Sequence, residues 1–215
     1  MLMLFEYNNF IQISHKGQNM KKRVLAFLMA LGVAASMTTA ISAAEAPAKK
    51  KKQTPQGLYV NPQEAYDMKM KDPDHVLVID VRTPEELYFV GYASIVDKNI
   101  PLAYVEYDKL NKKGKKFASH KNKNLVAQVD AFVKSKGLDK ESAKIITFCR
   151  SGDRSAVAAT MLGKAGYKHA YTQIEGTEGD KSKDKKLRTV NGWKNAGLPY
   201  TYKFNKDLYV DLDGK

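Results

Sequence analysis

The chain is poor in residues that cross-link a fold or bind metals. Its 215 residues include one cysteine, one tryptophan and four histidines. A single cysteine excludes an intrachain disulfide, and the histidines are scattered without the spacing of metal ligands. We therefore expect no metal and no cofactor. Trp193, as the only tryptophan, is expected to be a buried packing anchor.

The chain also lacks an apolar run long enough to span a bilayer, which needs about 20 residues. The apolar stretch Val24–Ala35 is shorter, follows the basic group Met20–Arg23 and precedes the small residues Ser42–Ala44. This pattern is typical of a secretory signal peptide over residues 20–44. We expect an exported protein, periplasmic or secreted, with no membrane span after cleavage. Residues 1–19 are a possible mis-assigned upstream start.

The formal net charge is +13, and the lysines are clustered. Four lie in a Lys/Pro-rich segment, residues 45–56, which we interpret as a solvated linker. Seven more lie in the loop-like stretch Lys109–Lys123. Aromatic residues are sparse there and the protein is expected to be exported, so we expect no nucleic-acid partner. A solvated or membrane-surface-facing basic face is favoured, with attraction of small anions as a further possibility.

Apolar strands alternate with amphipathic helices along the chain. Continuous apolar runs predict buried strands of a parallel sheet, and N-capping signals at Asn61 and Thr83 predict helices directly after them. The predicted fold class is α/β, a three-layer and mostly parallel sheet with helices on both faces. The predicted strands are 58–60, 76–81, 144–148 and 169–174, and the predicted helices are 61–70, 83–89, 124–135 and one beginning near Arg154.

Cys149 lies at the carboxyl end of the predicted strand Lys144–Phe148. The next helix begins within the loop that follows, so backbone N–H groups should point at the sulfur and favour the thiolate over the thiol. Arg150 and Arg154 add positive charge beside it. A buried cysteine that only fills the core is not usually followed by such a loop, so we interpret Cys149 as a reactive nucleophile.

The hexapeptide Cys149-Arg150-Ser151-Gly152-Asp153-Arg154 resembles the active-site loop of rhodanese-like sulfurtransferases, Cys-Arg-any-Gly-any-Arg or Thr. Other segments that match this family follow in the expected order: Val76–Leu87, Asn99–Leu102, Gly192-Trp193 and Gly197–Pro199. The resemblance covers residues 57–203 and leaves 204–215 as a carboxyl-terminal tail. It implies a rhodanese-like fold, in agreement with the alternating pattern.

The resemblance also implies a reaction. Cys149 would take a sulfane sulfur from a small anionic donor such as thiosulfate, hold it as a persulfide, and pass it to a thiol, to cyanide or to an acceptor protein. Asp80 and Arg82 would support the loop through ion pairs and hydrogen bonds, with direct substrate contact as the less favoured role. The loop implied to bind the substrate consists of Arg150, Ser151, Gly152, Asp153, Arg154 and Ser155.

Two segments depart from the family pattern, and two other functions stay open. Gly91–Lys98 lacks the usual Gly-His, and Glu175–Asp180 stands where many members have Gly-Gly, followed by a basic stretch. A phosphatase or arsenate reductase would place five residues between cysteine and arginine, whereas Cys149 and Arg154 are separated by four. A non-enzymatic binding or redox-sensing module is the other alternative, with the acidic loop selecting a partner.

Overall fold

The computed structural model describes residues 44–210. The possible upstream start at 1–19 and nearly all of the predicted signal peptide lie outside the described residues, as do residues 211–215 of the predicted tail. Export therefore stays a prediction. Within residues 44–210, no helix is both long and apolar enough to cross a membrane.

A parallel five-stranded sheet forms the centre of the protein. Its strands lie in the spatial order β1 (Tyr59–Val60), β8 (His169–Gln173), β7 (Lys144–Phe148), β2 (Val76–Asp80) and β4 (Lys98–Asn99). All neighbouring pairs are parallel. Because β7 lies between β8 and β2, its carboxyl end is flanked by two other strand ends, where ligands bind in open parallel sheets.

Helices cover both faces of this sheet, as predicted. Side chains alternate along β2, so Val76 and Val78 face one core and Leu77 and Ile79 face the other. The first core includes α1 (Pro62–Lys71), α2 (Pro84–Val90) and the fully buried Trp193, and the second includes α3 (Leu125–Ser135) and α4 (Asp153–Lys164). The three-layer arrangement and the role of Trp193 as a packing anchor are confirmed.

The capping signals also act as predicted. The Asn61 side chain accepts a hydrogen bond from the Glu64 amide at 2.9 Å, and Glu64 accepts one from the Asn61 amide at 2.8 Å. The same reciprocal pair forms between Thr83 and Glu86 at the start of α2. Each pair satisfies two backbone donors that a helix leaves free at its amino end.

The basic stretch predicted to be a loop is an ordered hairpin instead. Antiparallel strands β5 (Ala103–Leu110) and β6 (Phe117–Lys121) form it, with an irregular register between Glu106 and Leu110. The lysine content hides the strand pattern, because the charged side chains of a solvent-facing hairpin remove the alternation of apolar and polar residues by which strands are recognised.

Residues 45–56 do not form the solvated linker that the sequence predicts. Lys50–Lys52 form a single 3-10 turn, and Lys52 is buried. Lys49 and Lys52 bind the Asp180 carboxylate at 2.8 and 3.2 Å. Composition alone favours a linker because four consecutive lysines repel one another, and only the fold supplies the carboxylates that neutralise them.

The start of the predicted tail is also part of the packed domain. Leu208 and Tyr209 are buried, and Tyr209 forms an isolated bridge with Asn99 of β4. Two further short strands, β3 (Tyr92–Ala93) and β9 (Tyr200–Thr201), pair antiparallel outside the central sheet. The core therefore extends beyond residue 203, where the predicted domain ends.

An ion pair at the base of the sheet should make stability depend on pH. Asp72 accepts hydrogen bonds from Lys144 at 2.8 Å and His75 at 2.7 Å, which lower the pKa of Asp72 from 3.8 to about 2. The contribution of the ionised Asp72 carboxylate to the free energy of unfolding is present above about pH 3.8 and is lost as pH falls toward 2. In urea titrations, Asp72→Asn should lower the unfolding free energy at neutral pH by about 1 kcal/mol, since the group is partly exposed.

That deficit should shrink as the pH is lowered through the same interval, because the wild-type carboxyl then becomes neutral as well. Asp74→Asn, at an exposed neighbouring position, should show no such trend. A deficit for Asp72→Asn that stays constant down to pH 2 would contradict the charge-based account.

Candidate active site

Cys149 directly follows β7 and is held by the strands and loops around it. The Phe148 carbonyl accepts a hydrogen bond from the Val81 amide at 2.8 Å, and the Cys149 carbonyl accepts one from the Thr177 amide at 2.7 Å. The side chain is 1% exposed, and it belongs to the second core. The thiol is therefore fixed in place and shielded from bulk water.

The turn after Cys149 points a backbone donor at the sulfur. The Gly152 N–H lies 3.1 Å from Sγ of Cys149, and α4 begins at the next residue. Gly152 has a φ of +94°, and an added Cβ would overlap the Ile174 carbonyl oxygen. Glycine is required here because a side chain would be strained by this backbone conformation and would collide with the neighbouring strand end. The predicted amide at the sulfur is present.

Ser155 lies beneath the thiol in a buried polar network. Its Oγ is 3.5 Å from Sγ of Cys149 and accepts a hydrogen bond from the Thr172 hydroxyl at 3.1 Å. Oγ also lies within hydrogen-bonding distance of the carbonyls of Gly152 and Gln173. Its single proton can turn between these acceptors, so the hydroxyl can respond to a charge on the sulfur without a change in the backbone.

The loop Glu175–Asp180 supports the cysteine loop from behind. The amides of Glu178 and Gly179 both donate to the Arg150 carbonyl, at 3.0 and 3.2 Å. A Cβ on Gly176 would overlap the backbone of Arg150 and Ser151, so the two loops are in direct backbone contact. Although Glu175–Asp180 departs from the family's Gly-Gly pattern, it keeps one glycine, Gly176, where it comes closest to the cysteine loop.

The carboxylates of this loop are engaged within the domain. Glu175 accepts a hydrogen bond from the Gly192 amide at 2.7 Å, Glu178 pairs with Arg150, and Asp180 pairs with two lysines of the amino-terminal segment. The hypothesis that this loop selects a partner through its acidic charge is therefore not supported by its geometry.

Both arginines of the cysteine loop are paired with carboxylates. Nε of Arg150 lies 2.9 Å from Oε1 of Glu178, and the two guanidinium nitrogens Nη1 and Nη2 of Arg154 each lie 2.6 Å from an oxygen of Glu86. The second pair is bidentate, which is the strongest geometry for an arginine and a carboxylate. Neither arginine side chain donates to Cys149. The backbone amide of Gly152 is the donor in contact with its sulfur.

The Glu86–Arg154 pair is partly buried, and this affects both groups. Burial alone would raise the pKa of Glu86, but the hydrogen bonds and charge of Arg154 outweigh it and lower the pKa. Burial would likewise lower the pKa of Arg154, and Glu86, with smaller contributions from Cys149 and Asp80, raises it overall. The pair is therefore ionised, and an incoming anion must compete with a carboxylate for Arg154.

Asp80 and Arg82 lie close to the loop in the sheet but are fully buried. The guanidinium binds both oxygens of Asp80 at 2.7 to 3.0 Å and donates to the Gly91 carbonyl at 2.9 Å. Asn99 donates to the backbone carbonyls of both residues. This geometry joins the end of β2 to the end of α2, which agrees with the supporting role that we expect for the pair.

Asp153 is the first residue of α4 and connects the site to the amino-terminal segment. One carboxylate oxygen lies 2.5 Å from the Lys51 ammonium. Asp153 raises the pKa of Lys51, mainly through this hydrogen bond.

Ser151 lies at the partly exposed turn of the loop. Within residues 44–210, no group of three or more His, Cys, Asp or Glu side chains could hold a metal ion.

A cleft of about 470 Å³ opens beside the Glu86–Arg154 pair. The β5–β6 hairpin forms one wall and the start of α2 forms the other, and apolar side chains such as Val105 and Phe117 contribute much of the lining. The cleft contains Arg154 but not Cys149. Glu86 and Arg154 are the residues that the cleft shares with the surroundings of the cysteine loop.

Sequence reasoning does not identify Glu86 and Glu178 as parts of the site. Glu86 already has a local explanation as the third residue of a capping box, and Glu178 lies 28 positions from its arginine. The sequence does hold one signal for the role of Glu86. Two adjacent acids, Glu85 and Glu86, lie in the first turn of α2, although the capping box requires only one. The cysteine loop follows β7 and the loop Glu175–Asp180 follows β8. The two loops lie side by side because β7 and β8 are neighbours in the parallel sheet.

Fold and site together define an α/β protein with a single cysteine in an amide-lined loop at a helix amino terminus. The family model of the rhodanese-like domain matches residues 61–183. An uncharacterized protein of Rickettsia conorii is 33% identical over 138 residues, covering 64% of this chain and 92% of that protein. The chain belongs to the rhodanese-like domain family.

Two solved structures are also similar to this chain. A crystal structure from M. tuberculosis is 25% identical, with a TM-score of 0.49, over 67% of this chain and 97% of that chain. The polysulfide-sulfur transferase homodimer of Wolinella succinogenes is 22% identical, with a TM-score of 0.41, over 77% of this chain and 85% of that chain.

Removing one partner of the buried Asp80–Arg82 pair should destabilise the domain strongly. Asp80→Ala leaves the Arg82 guanidinium charged and unpaired in the core, and we expect the free energy of unfolding to fall by about 3–5 kcal/mol. Urea denaturation measures this loss.

The double variant Asp80→Ala/Arg82→Met is the control, because it removes both charges and keeps an unbranched side chain. It should recover much of the stability lost by the single variant. A double variant no more stable than Asp80→Ala would show that the hydrogen bond from Arg82 to the Gly91 carbonyl matters more than the buried charge.

Proposed function

We propose that this protein is a sulfurtransferase that carries sulfane sulfur as a persulfide on Cys149. The observation that carries the proposal is the Gly152 amide, 3.1 Å from Sγ of Cys149 at the amino terminus of α4. Amides in this position stabilise negative charge on sulfur both in the thiolate and in the terminal sulfur of a persulfide. A cysteine that only filled the core would not need this donor.

The first half-reaction needs only the thiolate and an anionic donor. With thiosulfate, Sγ of Cys149 attacks the outer sulfur and forms a new S–S bond, while the old S–S bond breaks and sulfite leaves with its electron pair. The enzyme then carries a persulfide anion, so charge balances at three negative charges on each side. No second protein thiol is required, which suits a chain with one cysteine.

The second half-reaction returns the enzyme to its starting state. A thiophilic nucleophile, such as cyanide or an acceptor thiolate, attacks the terminal sulfur, and the bond to Sγ breaks with its electrons returned to the cysteine thiolate. The amide of Gly152 then stabilises this leaving group. Because Cys149 is 1% exposed, small shifts of the loop must admit each reactant in turn.

Intact mass spectrometry tests the proposed persulfide. Incubation with thiosulfate should add about 32 Da to the wild-type protein, and cyanide should remove it. Cys149→Ser should gain no mass, which assigns the adduct to this residue. Absence of any adduct, together with slow alkylation of Cys149 at neutral pH, would contradict the proposal.

That contrary result would favour the binding or redox-sensing module. Two observations favour the binding role within this second candidate: Cys149 is almost completely buried, and both loop arginines are already paired. A sensor would react with an oxidant such as hydrogen peroxide while remaining inert to sulfane sulfur. The same mass measurement distinguishes the two functions.

Arg154 is proposed to position the anionic donor after leaving Glu86. Arg154→Ala should raise the apparent KM for thiosulfate roughly tenfold, because a charge-assisted contact is lost. Glu86→Gln should lower the same KM several-fold, because it removes the competing carboxylate while glutamine still completes the capping box of α2. Steady-state rates over a range of thiosulfate concentrations measure both effects.

Glu64→Gln is the matched control, since Glu64 has the corresponding capping-box position in α1. It removes the same charge and should leave KM unchanged. Equal increases of KM in Arg154→Ala and Glu86→Gln would mean that the pair only braces the loop, and the positioning role would be withdrawn.

A further inference from the structure

The β5–β6 hairpin ends in an exposed tip, of which only the final residues line the cleft beside the candidate site. The outer half of β5 and most of β6 are exposed. We define the hairpin tip as residues 107–117. Its turn is ordered, because the Gly114 amide donates to the Asn111 carbonyl and the Asn111 amide donates to the Lys116 carbonyl, both at 2.8 Å. The tip is a fixed element of the surface.

The hairpin tip is strongly basic. From residue 109 to residue 117 there is no acidic side chain, and the segment contains five lysines: Lys109, Lys112, Lys113, Lys115 and Lys116. Among residues 44–210, carboxylates lie near only one of these lysines, Lys109, at 3.6 Å from Glu106 and 3.9 Å from Asp108. The ammonium groups of the turn therefore form a local excess of positive charge.

Large apolar side chains lie at the same end. Tyr107, Leu110 and Phe117 are 56%, 61% and 50% exposed. The rings of Tyr107 and Phe117 meet edge to face at 5.2 Å, and Leu110 is opposite Phe117 in the strand register. These three side chains form one exposed apolar cluster beside the lysines, and no core element covers it.

We propose that the hairpin tip docks the protein on an anionic lipid surface. Lysines would contact the lipid phosphates, and the apolar cluster would enter the boundary between headgroups and acyl chains. This inference goes beyond the proposed sulfur transfer and does not depend on it. It also decides between the two roles, solvated or facing a membrane surface, that the sequence analysis gave for the basic stretch Lys109–Lys123.

The form of the tip favours a lipid surface over other anionic partners. A stable protein interface buries about 800 Å² on each partner, and the end of one hairpin is narrow for that area. Nucleic acids bind aromatic faces by stacking, whereas Tyr107 and Phe117 pack against each other. The aliphatic Leu110 offers nothing to a nucleic acid but partitions readily into acyl chains.

Docking would also affect access to the candidate site. The base of the same hairpin lines the cleft that contains Glu86 and Arg154, and Lys116 and Phe117 belong both to the tip and to the cleft wall. A hairpin held at a lipid surface therefore places the cleft close to that surface. Reactants dissolved in or attached to the membrane would have a short path to the cleft.

Vesicle co-sedimentation of the purified protein tests the proposal. Binding should occur to phosphatidylcholine vesicles that contain phosphatidylglycerol, should be absent with phosphatidylcholine alone, and should weaken as salt is added. A lysine near an anionic surface contributes roughly fivefold in affinity. The variant with Lys112, Lys113, Lys115 and Lys116 changed to Gln should therefore bind at least tenfold more weakly.

The chain contains a matched control for net charge. Lys181, Lys183, Lys185 and Lys186 are exposed in a different loop, and changing these four to Gln removes the same charge. This variant should lose less than twofold in affinity. An equal loss in both variants would mean that binding follows net charge alone and would overturn the assignment to the hairpin tip.

Insertion of the apolar cluster has a separate spectroscopic readout. The native tryptophan, Trp193, is fully buried, so its fluorescence should not respond to vesicles. In the variant Leu110→Trp, the new indole is exposed in solution and should shift to shorter wavelength when anionic vesicles are added. No shift, or stronger binding to an RNA oligonucleotide or an acidic polypeptide than to vesicles, would overturn the proposal.

Discussion

Backbone contact between two loops holds the whole site in place. The amides of Thr177, Glu178 and Gly179 donate to the carbonyls of Cys149 and Arg150, and Gly176 leaves room for this approach. Because these bonds fix the first residues after β7, the turn can place the Gly152 amide at the sulfur. The support comes from backbone groups, so it tolerates the unusual side chains of this loop.

Positive charge near Cys149 comes from two sources, the amino end of α4 and the loop arginines, and they act differently. The backbone at the amino end of α4 acts on the sulfur, whereas Arg150 and Arg154 are each neutralised by a glutamate. The buried Asp80–Arg82 pair carries no net charge, and it holds the ends of β2 and α2 together. In the proposed function, an anionic donor must displace Glu86 before it can bind Arg154.

Much of the fold could be predicted because its signals are local. The apolar runs at 76–80 and 144–148, the capping boxes at Asn61 and Thr83, and the helix after the cysteine loop each depend on residues within one or two turns. The hairpin at 103–121 and the turn at Lys50–Lys52 were not predicted. The charged side chains of the hairpin hide the alternation of its strands, and the Lys50–Lys52 turn depends on the distant Asp180, so the composition of both segments resembles that of a loop or linker.

The sequence by itself determined the order of the main buried strands and of the helices, the family, and the position of the cysteine at a strand end before a helix. These follow from periodicity, capping and a contiguous motif. Only the tertiary structure decided that Glu86 binds Arg154, that Glu178 binds Arg150, and that the lysine-rich hairpin projects beside the cleft. The physical reason is that parallel sheet packing joins residues 28 to 68 positions apart, and no local pattern encodes those distances.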